Sequence, residues 1–328
     1  MGGARFAVIA ATVIGLAITL WLLAQVGFGA VFGIVGRVGA PGFLAYVALT
    51  VAILAVLGGA HAIIAGRADR LAAFFWSRTT REAATDVLPF AQFGGIVVAA
   101  RSLTAHGLPA RLTWASLVAD QTSELAAQLV YTLYGVAALA LVLQGRADGG
   151  NLAWLALVGL GASIAIILVF VLAQRPMLAL AGRIAGTMLP GSDTAFANVA
   201  DDLAGLYHRR GALVASFLLH LAAWVGSGAG AWFGLRLLGV DLAVGDVIIV
   251  ESLIFTLRTA AFLVPGAIGL QEGAYLLLAP LFGLPPEAAL ALSLLKRARD
   301  LALGVPVMIA WQLLEGRRLA AAPTDAAR

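Results

Sequence analysis

The sequence predicts an all-α, polytopic membrane protein of about 7–8 transmembrane helices, with two re-entrant or broken helices in a two-fold internal repeat. Three observations predict it. The 328 residues are 62% hydrophobic and 12% charged, with mean hydropathy +0.98, whereas soluble domains average about 25% charged residues. Apolar runs long enough to span a bilayer recur along the chain, a span being about 20 residues for a ~30 Å hydrocarbon core. Finally, a proline-led apolar segment, then Gly-Leu-Pro, then an apolar helix bearing charge occurs twice. Pro89 and Gly107-Leu108-Pro109 match Pro265 and Gly283-Leu284-Pro285 at one offset, 265 − 89 = 176 residues.

The elements follow in order. Residues 6–29 form the first candidate span; their apolar run exceeds a signal-peptide core, so the helix is expected to be retained. Residues 41–65 form the next. Residues 66–86 carry Arg67, Arg70, Arg78 and Arg81 beside Phe74, Phe75 and Trp76, which predicts an amphipathic segment on the cytoplasmic face. Residues 86–103 contain Pro89 and Gly94-Gly95, and proline and glycine break the helix there. Spans at 112–144 and 152–173 come next. Residues 175–210, with Arg175, Arg183, Arg209 and Arg210 against Asp193, Asp201 and Asp202, make a second cytoplasmic amphipathic segment. Spans at 212–238 and 246–264, a second broken stretch at 265–282 and a span at 287–314 complete the series. The short loops 145–151 and 239–245 hold few basic residues and suit the outer side. The whole is one membrane domain: repeat 1 over 6–144, a linking span and amphipathic segment over 145–211, and repeat 2 over 212–315. Seven spans would leave Arg317-Arg318 outside, while their charge asks for the inside. An even number of crossings between the two prolines makes the repeats parallel, an odd number inverted.

The intramembrane charges are the candidate functional residues. Asp120 lies nine residues past Arg111, and Lys296 nine past Glu287. At 1.5 Å per residue each sits roughly 14 Å along its helix, near the middle of a ~30 Å core. An unpaired charge there costs about 2.5–3.5 kcal/mol on insertion scales, while a leucine returns about 0.3–0.6. Lys296, Arg297, Arg299 and Asp300 must therefore be paired or line a wet cavity. Asp120 and Glu124 share a helix face at i, i+4, as do Lys296 and Asp300. The expectation is that Asp120 and Glu124 pair with Lys296, Arg297 or Arg299 across the repeat interface, and that Glu251 and Arg258 join them. Gln92, Gln271 and Glu272 sit in the broken segments, where half-helix ends expose backbone groups that meet a head group or ion. Two readings stand for these charges: ion pairs that dock the repeats, or a substrate and coupling site.

Other features point to packing. Gly226, Gly230 and Gly234 recur every fourth residue, a small-residue face for another helix of the chain. His61 and His220 are lone histidines on apolar helices, expected to bond to neighbours rather than bind metal. There is no cysteine, so thiol chemistry and Cys-based metal sites are excluded. The only lysine is Lys296, inside a helix, so no phosphate-binding Gly-x-x-x-x-Gly-Lys loop exists. No His-Glu-x-x-His or Gly-x-Ser-x-Gly motif occurs. No cofactor, metal, nucleic-acid partner or catalytic activity is expected.

Four stretches resemble one superfamily: 87–95 (Val-Leu-Pro-Phe-Ala-Gln-Phe-Gly-Gly), 119–124 (Ala-Asp-Gln-Thr-Ser-Glu), 264–273 (Val-Pro-Gly-Ala-Ile-Gly-Leu-Gln-Glu-Gly) and 292–300 (Leu-Ser-Leu-Leu-Lys-Arg-Ala-Arg-Asp). It is the lysylphosphatidylglycerol-synthetase transmembrane-region, or flippase-like, superfamily, and the resemblance is nearest to hopanoid-biosynthesis-associated inner-membrane proteins. It implies a multi-pass protein of the bacterial inner membrane that moves a lipid, here a hopanoid or its precursor, between leaflets. The chain stops at Arg328 without the aminoacyl-transferase domain of the two-domain synthetases, so the lipid-flipping half is what is expected to carry over. The implied partners are a hopanoid or phospholipid and lipid-biosynthesis enzymes. Two alternatives remain beside the carrier: a scaffold for those enzymes, and an intramembrane lipid-modifying transferase.

Overall fold

The computed structural model describes residues 33–34, 36–87, 91–144, 192–260 and 270–321, with isolated positions 154, 161, 165, 168 and 172. All regular structure among them is helical. In chain order it comprises α1 (Ala40–Ala65), a 3-10 turn (Ala68–Arg70), α2 (Leu71–Val87), α3 (Ala91–Ala105), α4 (Ala110–Gln144) and α5 (Ser192–His208). Then come α6 (Arg210–Leu237), α7 (Val244–Ala260), α8 (Leu270–Leu278) running into a 3-10 turn (Ala279–Phe282), and α9 (Pro286–Ala321). Among the described residues, three helices are long and apolar enough to cross a membrane: α1, α4 and α6. They fall on the expected spans 41–65, 112–144 and 212–238. The expected span 6–29, the loop 145–151, and Pro89 and Pro265 lie outside the described residues, and of the expected span 152–173 only five isolated positions are described. Past the two prolines, the described helix covers 15 residues in α3 and 9 in α8, each beginning at the first described residue.

The repeated Gly-Leu-Pro turns have one backbone geometry. Gly107 has φ 82° and Gly283 φ 81°, a left-handed conformation that costs glycine nothing. Each ends a helix with the same pair of backbone bonds. Gly107 N–H donates to Thr104 O (3.0 Å) and Leu108 N–H to Leu103 O (3.2 Å); Gly283 N–H donates to Pro280 O (3.2 Å) and Leu284 N–H to Ala279 O (3.1 Å). This double bond closes orphan carbonyls at a helix end. Pro109 and Pro285 then lead into α4 and α9, of 35 and 36 residues. Proline fits the first turn of a helix because the N–H it lacks has no partner there.

The small-residue face of α6 packs on α1, as its spacing predicts. A Cβ at Gly226 would meet Ile53 at 3.7 Å, one at Gly230 would meet Leu49 at 3.6 Å, and one at Gly234 would stand 3.1 Å from Leu292 and 3.4 Å from Tyr46. The residues of α1 fall from 53 to 46 as those of α6 rise from 226 to 234, so the two helices run antiparallel. α2 crosses α1 even more closely: a Cβ at Gly58 would lie 2.8 Å from the Cα of Phe75.

This seating corrects the reading of residues 66–86. α2 is not a free surface segment. It packs against α1, α3 and α9, and Ser77, Arg78, Thr80 and Arg81 are buried. Arg78 and Arg81 turn inward because carboxylates await them there, while Arg67 and Arg70 stay accessible beside Asp69.

The two Gly-Leu-Pro turns lie at opposite ends of the bundle. At one end Arg70 donates to His106 O (3.3 Å), Arg209 donates to Ile64 O (3.2 Å), and Arg101 pairs with Glu315. At the other end Phe282 and Leu284 share a cluster with Val247 and with Leu238 and Leu242, near the C-terminus of α6. α6 separates the ends by 28 residues, or about 42 Å. α4 therefore starts from the first end and α9 from the opposite end.

The close crossing at Gly58 gives a direct test. In Gly58→Ala the new methyl has only backbone to push against, so thermal unfolding in detergent should show a loss of about 1–3 kcal/mol. Gly59 faces open space, so Gly59→Ala should be neutral or gain about 0.5–1 kcal/mol from helix propensity.

Candidate functional site

Two separate polar centres lie within the bundle. The first is built on α4. Asp120 is completely buried and Glu124 nearly so. Arg78 of α2 grips Glu124 with both terminal nitrogens, at 2.9 and 2.7 Å, a fork-to-fork geometry that only arginine provides. Arg78 also meets Glu82 at 2.7 Å. Arg81, one turn along α2, reaches Glu124 at 3.2 Å and Asp120 at 3.8 Å, and donates to Gln121. Two histidines complete the centre. His220 of α6 stands with Nε2 2.9 Å from Asp120 Oδ1. His61 of α1 stands with Nδ1 4.0 Å from Asp120 Oδ2, and its Nε2 is 3.1 Å from Ser116 Oγ.

The second centre joins α7, α8 and α9. Lys296 donates to Glu251 Oε2 at 2.6 Å and to the Tyr275 hydroxyl at 3.1 Å. The Tyr275 hydroxyl donates to the other oxygen of Glu251. Glu251 and Tyr275 are fully buried, and Lys296 is 3% exposed. The rings of Phe255 and Tyr275 face the ammonium at 5.4 and 5.5 Å, a favourable cation–π placement. Beside this triad, Arg297 meets Glu272 at 3.3 Å. Ser293 donates to Glu272 at 3.1 Å and accepts from Gln271 at 2.8 Å. Arg299 pairs with Asp300 at 2.6 Å and lies 5.5 Å from the Tyr46 ring.

The expected pairing across the repeats is thus replaced by another. Asp120 and Glu124 take their cations from α2, and Lys296 takes its anion from α7. The pairing of Glu251 with the α9 charges matches the expectation. The side chains of Gln92 and Arg258 lie outside the described residues. Arg78, Arg81, His61, His220 and Tyr275 were not singled out as site residues. The i, i+3 spacing of Arg78 and Arg81, with Ser77 and Thr80 between and beside them, is the signal that a polar face of α2 could turn inward. Tyr275 carried none.

A model of one protein family, the lysylphosphatidylglycerol synthase TM region, matches residues 8–307. The chain belongs to this family. No curated protein and no solved structure matches it. Together with the apolar helices, the family places the protein in a membrane and associates it with lipid.

Removing one partner of a buried pair leaves an uncompensated charge at a cost of about 3–5 kcal/mol, whereas an apolar pair of similar volume is often tolerated. Lys296→Met should therefore sharply lower the unfolding temperature in detergent. Adding Glu251→Leu should restore most of the loss; a double variant no more stable than Lys296→Met would contradict the pairing.

Proposed function

We propose that the protein is a lipid carrier of the bacterial inner membrane that passes a polar head between leaflets while the rings or chains stay against lipid. The observation that carries this reading is the second centre. Its inner triad is sealed, but its outer pair is open: the Glu272 side chain is 26% exposed and that of Arg297 13%. That pair lies on α8, in the segment that follows the second repeat proline, and on α9, the long helix beyond the Gly283 turn. Polar residues on such paired elements of an internal repeat are the build of carriers.

Each described cation of this centre has a carboxylate partner: Lys296 has Glu251, Arg297 has Glu272, and Arg299 has Asp300. Cations already held by carboxylates favour a neutral polyol head over an anionic one, and a hopanoid with a polyol tail has such a head.

The halves 40–144 and 210–321 act in this reading as inverted repeats. α1, α2 and α4 correspond to α6, α7 and α9. α2 packs on α9 while α7 packs on α4, and α1 packs on α6, an exchange of partners that a two-fold relation produces. Arg67, Arg70, Arg209, Arg210, Arg317 and Arg318 cluster at the end holding the Gly107 turn, so that end faces the cytoplasm under the positive-inside rule. The C-terminal Arg317-Arg318 then lies inside, which in this reading asks for an eighth crossing beyond the seven clear spans.

A second reading, a scaffold for lipid-synthesising enzymes, draws on the same satisfied ion pairs. Reconstitution separates them. Vesicles carrying a labelled polyol amphiphile should lose inner-leaflet protection from an impermeant quencher faster with protein than without, and faster than vesicles carrying a labelled anionic phospholipid. Glu272→Ala should slow this about tenfold, equivalent to ~1.4 kcal/mol on the barrier, while circular dichroism stays unchanged. A rate equal to the protein-free control favours the scaffold, and a new lipid product the transferase.

A further inference from the structure

α4 buries a polar stripe along its length. Thr113, Ser116, Asp120, Glu124, Gln128 and Thr132 follow one another at steps of three or four residues, which puts them on one helix face. All six are buried, none more than 8% exposed. Val130, Leu133 and Leu141, on the other side of the helix, are exposed. The stripe covers 132 − 113 = 19 residues, or about 28 Å, close to the ~30 Å of a hydrocarbon core. Membrane helices associate through small residues and an occasional polar group. A polar line through the full depth of the core is more than docking requires.

The stripe changes character along its length. At Asp120 and Glu124 it is charged, and the cations Arg78 and Arg81 come from the same half of the chain. In the other half, Lys296 holds Glu251 and Arg297 holds Glu272. At Tyr131 and Thr132 the stripe is neutral and meets the opposite half. Thr132 Oγ1 lies 2.8 Å from Thr256 Oγ1, and Thr256 donates in turn to Ser252 O at 2.8 Å. The Tyr131 hydroxyl donates to Ile248 O at 3.1 Å. Gly135 brings α7 close, since a Cβ there would collide with Ser252 Oγ. At this level the halves therefore meet through hydroxyl groups and a backbone carbonyl. Such bonds are weak between membrane helices. A hydroxyl-rich head can replace each one in kind, because a hydroxyl both donates and accepts. Near the other end of the stripe, Thr113 Oγ1 and Ser123 Oγ are buried without a hydrogen-bond partner, so further bonding capacity lies along the same face.

We propose that this stripe is the track of the polar head. On the carrier reading, on which the proposal rests, the halves part between α4 and α7. Gln128, Thr132 and Thr256 then bond the hydroxyls of a neutral polyol head between the two charged centres. The buried arginine and lysine pairs stay closed, because each is held within its own half. α4 carries no cation beyond Arg111, so an anionic head on this face would meet Asp120 and Glu124 without a counter-charge from α4. Gln128, Thr132 and Thr256 thereby set the head-group chemistry.

Cysteine accessibility tests the track without a transport assay, and the chain has no native cysteine. In vesicles, Gln128→Cys and Thr132→Cys should react with a small water-soluble methanethiosulfonate, although both positions are buried. Val130→Cys and Leu133→Cys should not react. Hexadecyl glucoside, a neutral polyol amphiphile, should slow the reaction at both stripe positions, and hexadecyl phosphate should leave it unchanged. No reaction at either stripe position, or a reaction that the glucoside does not slow more than the phosphate, would overturn the track. A second variant keeps the packing. Thr132→Val with Thr256→Val removes both hydroxyls while retaining shape, so the unfolding temperature should hold. Translocation of a labelled glucoside should nevertheless fall about tenfold, equivalent to ~1.4 kcal/mol on the barrier. Unchanged translocation in this variant would mark the hydroxyls as structural and overturn their role. Translocation by the unsubstituted protein with no reaction at either stripe position would sink the track and leave the carrier. Reaction and glucoside protection without any translocation would sink the carrier and leave a seam that binds polyol.

Discussion

A charge near the middle of a bilayer must find a partner, and the arrangement of this protein follows from that need. Each charge left bare costs several kcal/mol, while the net stability of a folded domain is only about 5–15 kcal/mol. A handful of unpaired groups would therefore leave no stable fold. The described structure meets the need by gathering the charges of α4 and α9 into two centres, each supplied by a neighbouring helix.

The source of the partners decides which helices pack together. α2 is the most polar of the helices inside the bundle, and on its own it would favour the membrane surface. Arg78 and Arg81 draw it inward because Glu124 and Asp120 are buried on α4. The close contact with α1 at Gly58 and Phe75 then brings His61 beside Asp120. Likewise Lys296 brings α7 and α8 together through Glu251 and Tyr275. The glycine face of α6 allows α1 to approach closely enough to place His220 opposite His61.

Much of this was legible in the sequence, for identifiable reasons. α1, α4 and α6 are long and apolar, and bilayer thickness fixes their length. The two Gly-Leu-Pro turns were legible because glycine at φ near +80° and proline at a helix start have narrow structural meanings. The glycine face of α6 was legible from its four-residue period. The partners of the charges were not. Spacing shows which residues share a face, but not which helix that face meets. The arginines of α2 were read by the composition of their own segment, which resembles a surface helix. The histidines were expected to bond to a neighbour, and they do, but which neighbour was not legible, because Asp120 lies 59 residues from His61 and 100 from His220. The family match confirms the membrane and lipid context, and the roles of individual residues rest on geometry alone.

In the proposed carrier, the two halves bring their charged helices to the middle of the membrane from opposite faces. The absence of native cysteine makes this measurable. His106→Cys marks the Gly107 turn, and Glu287→Cys marks the start of α9 beyond the Gly283 turn. Treated with a membrane-impermeant thiol reagent, intact spheroplasts should be labelled at Glu287→Cys, with His106→Cys labelled only after permeabilisation. Labelling of both positions from the same face would contradict the claim.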